Sequence, residues 1–225
     1  MVAGANDYQA AINAIESGRA IISTGKVDGK RVEPVRVLTA AADQFRRAET
    51  TFDSYRKAVS AEPVEAARYA RLEDAVKNLK QEIRGYARKV VEGVVKDVDS
   101  RVGSLKATIN KERTRYEARF GMMPRVSATA VKKDMDNARQ TVADQTRYVA
   151  RIRDELRNQG LYDRAADDSF FIEARDSFDT ASSHIDVEEA RHRQNVDNAD
   201  IRKTNKEWER EQKKHTKAIK KRKFY

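Results

Sequence analysis

Two long apolar ladders, joined by one short turn, constrain this chain more than anything else in its sequence. In the first, Tyr69, Leu72, Val76, Leu79, Ile83, Tyr86 and Val90 recur at alternating steps of three and four. The second runs Val131, Met135, Ala138, Val142, Gln145, Val149, Ile152 and Leu156 with the same alternation. That spacing keeps one stripe of a helix apolar, and a stripe of this length must be buried along a neighbour. Gly121-Met122-Met123-Pro124 reads as a turn between them, so the two helices are expected to fold back on each other.

The remaining sequence predicts helix as well. With three Pro and nine Gly in 225 residues, the chain is too poor in turn formers for a many-stranded fold. Hydrophobic residues make up 39% and charged residues 36%, enough apolar surface to line seams but not to fill a wide globular centre. The expected fold class is therefore all-α, an elongated antiparallel helical hairpin or coiled-coil bundle with a basic C-terminal tail. Three regions are expected: an N-terminal helical pair over 1–62, the long hairpin over 63–201, and the tail over 202–225.

Within the first region, residues 7 to 24 predict a helix with an apolar stripe of Tyr8, Ile12, Ile15 and Ile22, a start at Asn6 and Gln9 and a stop at Gly25. Lys26 to Pro34 reads as a polar loop with an Asp28-Gly29 turn. A second helix follows from Val35 to about Ala61, with Leu38, Ala42, Phe45, Phe52, Tyr55 and Val59 near one face. Pro63 suits the first turn of the third helix, Val64 to Phe120, which at the usual rise would reach about 85 Å. Its ladder continues through Val94, Val98, Val102, Leu105 and Ile109, and Gly85, Gly93 and Gly103 fall where close packing or a bend is expected. A fourth helix spans Val126 to Asn158 and stops at Gly160; a fifth is capped near Asp167-Asp168-Ser169 and seamed by Phe171, Ala174, Phe178, Ala181 and Ile185. Carried onward, that register meets Glu188, His192, Asn195 and Ala199, so the apolar face fades toward the tail.

Charge follows the same division. Residues 64–125 carry 15 Lys/Arg against 9 Asp/Glu, and 126–201 carry 11 against 16, opposite signs that favour pairing of the two arms within one chain or between two. Residues 202–225 hold 11 Lys/Arg against 3 Asp/Glu, most of the whole chain's net +10. Ile201, Trp208 and His215 recur every seven residues there, with Ile219 close by, which predicts a basic helix with a narrow apolar edge. Arg202, Lys203, Lys206, Lys213, Lys214, Lys220, Lys221, Arg222 and Lys223 are the candidate electrostatic contacts, and Trp208 the candidate apolar anchor.

No reactive constellation accompanies these faces. The chain has no Cys, which excludes disulfides, thiolate ligands and a Cys nucleophile. Glu189-Ala-Arg-His192 has the Glu-x-x-His spacing of di-iron bundles, but a second copy is missing. His184, Glu188 and His192 follow at four-residue steps, and helical His near Glu is more often a seam-edge pair than a metal site. Gly18 to Lys26 lacks the spacing and the Ser or Thr of a phosphate loop. Asp154-Glu155 and Asp167-Asp168 read as solvated charges or caps. Neither enzyme activity, cofactor nor metal is expected.

The function expected is that of a structural or scaffolding subunit, which braces or links proteins of a larger cytoskeletal, viral or organelle assembly through helix faces and tail. An acidic protein surface is the first partner class; nucleic acid, an anionic membrane surface and a second copy of the chain are the others. Neither a secretory leader nor an apolar run of about 20 residues is evident, so an intracellular place, in the cytoplasm or within a large assembly, is expected, with an organelle still open.

Overall fold

The computed structural model describes residues 5–59, 66–119 and 125–222; the described side chains are those of 5–58, 66–114, 130–194, 196–198 and 200–215. The fold is all-α. The helices are α1 (Ala5–Thr24), α2 (Pro34–Val59), α3 (Ala66–Arg119), α4 (Arg125–Asn158) and α5 (Arg164–Arg222), with a two-stranded hairpin, β1 (Lys26–Val27) and β2 (Lys30–Arg31), between α1 and α2. Pro63 and Gly121-Met122-Met123-Pro124 lie outside the described residues.

The chain divides into two compact units, one formed by Met1–Val95 with Gln145–Asp176, the other by Lys96–Asp144 with Ser177–Tyr225. In the first, α1 packs on α2, and Ala11, Ala14, Ile15 and Gly18 are its buried positions, while Tyr8, Ile12 and Ile22 sit at the edge. At Gly18 the helix comes so close to α3 that an added Cβ would lie 3.1 Å from Leu79 Cδ1. Helix α2 buries Leu38, Ala42, Phe45, Phe52 and Tyr55, as its apolar spacing predicts; the side chain of Val59 lies outside the description. Tyr8 meets Tyr55 at 5.5 Å between ring centres, and Phe52 meets Tyr69 of α3 at 4.9 Å.

Between α1 and α2 the polar loop is in fact a hairpin. Lys26 pairs with Arg31 and Val27 with Lys30, and the turn residues Asp28 and Gly29 take φ values of 50° and 74°. Two consecutive residues of positive φ match the twist of an antiparallel pair, which is why Asp-Gly closes it. Gly25, with φ of 64°, ends α1 as predicted.

The buried row of α3 departs from the predicted ladder most between Ile83 and Val94, and the predicted members Tyr69 and Val102 are only half-buried. Leu72, Val76, Leu79 and Ile83 are buried as expected, but the row then passes through Ala87 and Val91, leaving Tyr86 and Val90 half-buried. Three successive steps of four, from Leu79 to Val91, shift the seam by one residue. Arg84 and Arg88, each one position after a buried residue, thereby reach the seam's edge, where they have an acidic partner. Gly85, Gly93 and Gly103 approach nothing: a Cβ added at any of them meets no atom within 4 Å.

The turn from α4 to α5 closes with a set of backbone bonds that the sequence dictates. Gly160, at φ of 68°, donates from its N–H to the Arg157 carbonyl at 3.0 Å, and Leu161 N–H donates to the Leu156 carbonyl at 2.9 Å. Leu156 and Leu161 are both buried, completing a glycine-terminated helix end with its apolar contact. The cap of α5 is Asp163 rather than the Asp167 cluster. Asp163 Oδ1 accepts the Ala165 N–H at 3.1 Å, and Asp167, already inside the first turn, accepts the Asp163 N–H at 2.9 Å.

In the second unit the three helical segments bury Val98, Leu105 and Ile109 of α3, Val131, Met135, Ala138 and Val142 of α4, and Phe178, Ala181 and Ile185 of α5. The α4 and α5 rows are those read from the sequence. Burial of each large aliphatic side chain contributes roughly 1.5–3 kcal/mol, so these rows supply most of the energy holding the segments together.

Candidate functional site: the cationic end of α5

The buried row of α5 changes chemistry along its length. After Ile185 it continues through Glu188 and His192, which are 7% and 5% exposed. Glu188 Oε1 accepts from Arg191 Nη1 at 2.8 Å. His184, four residues before Glu188, is exposed, so the three residues do not converge. Among the described residues no group of three His, Asp or Glu side chains is placed to hold a metal ion.

Beside this row, Arg139 of α4 bonds both Asp186, at 2.7 Å, and Glu189 of α5. Arg139 and then Arg193, whose Nη2 lies 2.5 Å from Glu189 Oε1, hold the Glu189 carboxyl below its ordinary range. Both contacts lie within the acidic arm, so opposite net charge of the two arms is not their cause. They also set how far α4 covers α5. Counting back from Arg139 to Arg125 on α4, and forward by as many positions from Asp186 and Glu189 on the antiparallel α5, reaches Asp200 and Lys203.

Beyond that point every described side chain of α5, from Asp200 to His215, is exposed. Arg202, Lys203, Lys206, Trp208, Lys213 and Lys214 are therefore all on open helical surface, with Trp208 64% and Ile201 59% exposed. Lys220, Lys221 and Arg222 lie on the helical backbone, their side chains outside the description; Lys223 lies outside the described residues.

Helical phase adds what composition did not give. At 3.6 residues per turn, Lys203, Lys206, Arg210 and Lys213 continue the α5 row of Ile185, Glu188 and His192 in the same three-and-four alternation, and positions 217 and 221 carry it on. The face that packs in the bundle becomes a cationic face where the bundle stops. Ile201, Trp208 and His215 fall on the opposite side. Glu207 and Glu209 border the cationic row, each three or four positions from two of its members, and Glu211 lies further round the helix.

A second open feature belongs to the first unit, a groove of about 650 Å³ between α1 and α3 lined by Arg19, Ser23, Glu82, Tyr86 and Lys89 among others. Arg19 spans it, with Nε 3.1 and 3.0 Å from the two carboxylate oxygens of Glu82. No described helix is long and apolar enough to cross a membrane. No family model, curated protein or solved structure matches this chain.

Proposed function

We propose that the protein is a non-enzymatic structural subunit, an elongated antiparallel helical hairpin of coiled-coil type that braces partners in a larger assembly and docks through the basic end of α5. The observation that carries this reading is the continuous exposure of α5 from Asp200 to His215, just where α4 ends and the α5 row turns from apolar to cationic. A helix of this length costs chain entropy to order, and an open end with a strong surplus of cations has most use as a docking surface. The seams of α3, α4 and α5 support the bracing role, because their burial stiffens the segments that carry that end.

Small-angle scattering of the full chain tests the shape. A maximum dimension several times the cross-section is the expected result, and the profile of a compact sphere would overturn the reading. Affinity capture with the full chain beside a chain ending at Ile201 tests the docking: a partner held by the first and released by the second is expected.

A further inference from the structure

The cationic row at the end of α5 is specific enough to name the chemistry of its partner. We infer that it binds the phosphodiester backbone of a nucleic acid, through Lys203, Lys206, Arg210 and Lys213 and the positions of Lys217 and Lys221 that continue their register. This deepens the docking reading above and rests on it.

Three observations carry the assignment. First, the row has no apolar member, and its described side chains are exposed. A protein partner normally needs an apolar or aromatic anchor at the centre of the contact, whereas phosphates need only cations spaced along their path. Second, the six positions recur about once per turn, roughly every 5.4 Å, so a linear polyanion running beside the helix meets a charge at each turn. Third, no acid of this segment stands in the row itself: Glu207 and Glu209 border it, each three or four positions from two of its members, between the row and the side of Trp208, and Glu211 lies nearer Trp208.

The placing of Trp208 opposite the row disfavours an anionic membrane. A helix lying in a lipid interface places its apolar face inward with cations beside it. Here Trp208 is flanked by Glu207, Glu209 and Glu211, and the cations of the row point the other way. Seating the row on lipid headgroups would leave Trp208 in water.

Fluorescence anisotropy of the full chain with a labelled 30-base-pair duplex, and with one strand of it, tests the inference. Binding at 50 mM KCl that weakens about 1,000-fold by 200 mM is expected for a duplex if six phosphates are neutralised. The informative variant keeps composition and net charge while breaking the row: Lys206→Glu with Glu207→Lys and Arg210→Glu with Glu211→Arg. It should bind at least about tenfold more weakly than the parent at 50 mM KCl, while Trp208→Ala binds as the parent does. Should circular dichroism show lost helix in the exchanged variant, Lys206→Gln with Lys213→Gln replaces it, with weakened binding again expected.

No binding to either oligonucleotide, salt-insensitive binding, or equal affinity of the row-broken variant overturns the inference. So does co-sedimentation with phosphatidylserine vesicles that Trp208→Ala abolishes while oligonucleotides are ignored. An elongated scattering profile beside failed oligonucleotide binding would remove the nucleic acid and leave the bracing role standing.

Discussion

Arg84 of α3 grips Asp167 of α5 with two hydrogen bonds of 3.1 Å, Nε to Oδ2 and Nη2 to Oδ1. The carboxylate is 1% exposed and accepts further bonds from Arg88 Nη2 at 2.7 Å and from the Asp163 N–H. Arg88 also reaches the Ala166 carbonyl and stacks over Phe170, 5.5 Å from its ring centre. One side chain therefore ties α3 to the first turn of α5 and completes the cap of that helix. Asp167→Ala leaves the Arg84 guanidinium, itself only 15% exposed, without its buried partner. A loss of about 3 kcal/mol is expected in denaturant unfolding. Arg88→Ala should cost nearer 1 kcal/mol, because that side chain is 36% exposed.

Acid should weaken the same contact. Burial pushes the Asp167 carboxyl up, but the bonds from Arg84, the Asp163 backbone and Arg88 together outweigh it and hold it below its ordinary range. Glu189 is held low as well, by Arg139 first. A carboxylate depressed in the folded state stabilises the fold above its unfolded value, near pH 4. That contribution fades as pH falls through the lower folded value. Melting temperatures measured from pH 7 to 3 should stay level to about pH 5 and then fall. The fall should be shallower in Asp167→Asn, which has no carboxyl to titrate there.

Legibility varied with the strength of each residue's chemistry. The rows of α4 and α5 could be read almost in full, since strongly apolar side chains stand at nearly every step; the polar member of the α4 ladder, Gln145, is half-buried. The α3 row slipped by one because Tyr86 and Val90 outweigh Ala87 as hydrophobes, although Ala87 and Val91 are the buried pair. Asp163 could not be told from Asp167 as the cap without knowing which carboxylate two arginines would claim. The hairpin hid because its strands have two residues each, too short for any alternation to register. At the α5 end, composition gave the cations, but their common face emerged only once the helix was seen to run unbroken to Arg222. Tertiary phase, not residue type, was the missing information.

Glycine substitutions in α1 and α3 should move stability in opposite directions. At Gly85, where an added Cβ meets nothing within 4 Å, Ala relieves the helix of glycine's backbone entropy, so Gly85→Ala should stabilise by roughly 0.5–1 kcal/mol. Gly18 has the same helical gain available, but its Cβ would stand 3.1 and 3.2 Å from the two methyls of Leu79 and 3.4 Å from Gln44 Cβ. Leu79 is fully buried and has little room to yield. Overpacking of about 1–3 kcal/mol should cancel or exceed the gain, making Gly18→Ala neutral to destabilising. Urea unfolding of the two variants beside the parent would decide it, and a stabilised Gly18→Ala would mean that α1 stands further from α3 than this packing requires.

Trp208, the chain's single tryptophan, reports on the α5 end without contributing to the fold. At 64% exposure it should emit like a solvated indole and be open to quenching by iodide, which the net positive charge of residues 202–225 draws to the helix despite Glu207, Glu209 and Glu211 beside it. Replacing it by Ala should change unfolding free energy by less than about 0.5 kcal/mol, because no burial is lost. Its position opposite the cationic row gives the emission a directional meaning. A polyanion seated on Lys206, Arg210 and Lys213 should suppress iodide quenching while leaving the emission wavelength nearly unchanged. A blue shift on adding the same polyanion would place Trp208 inside the contact and assign the docking face to the other side of α5.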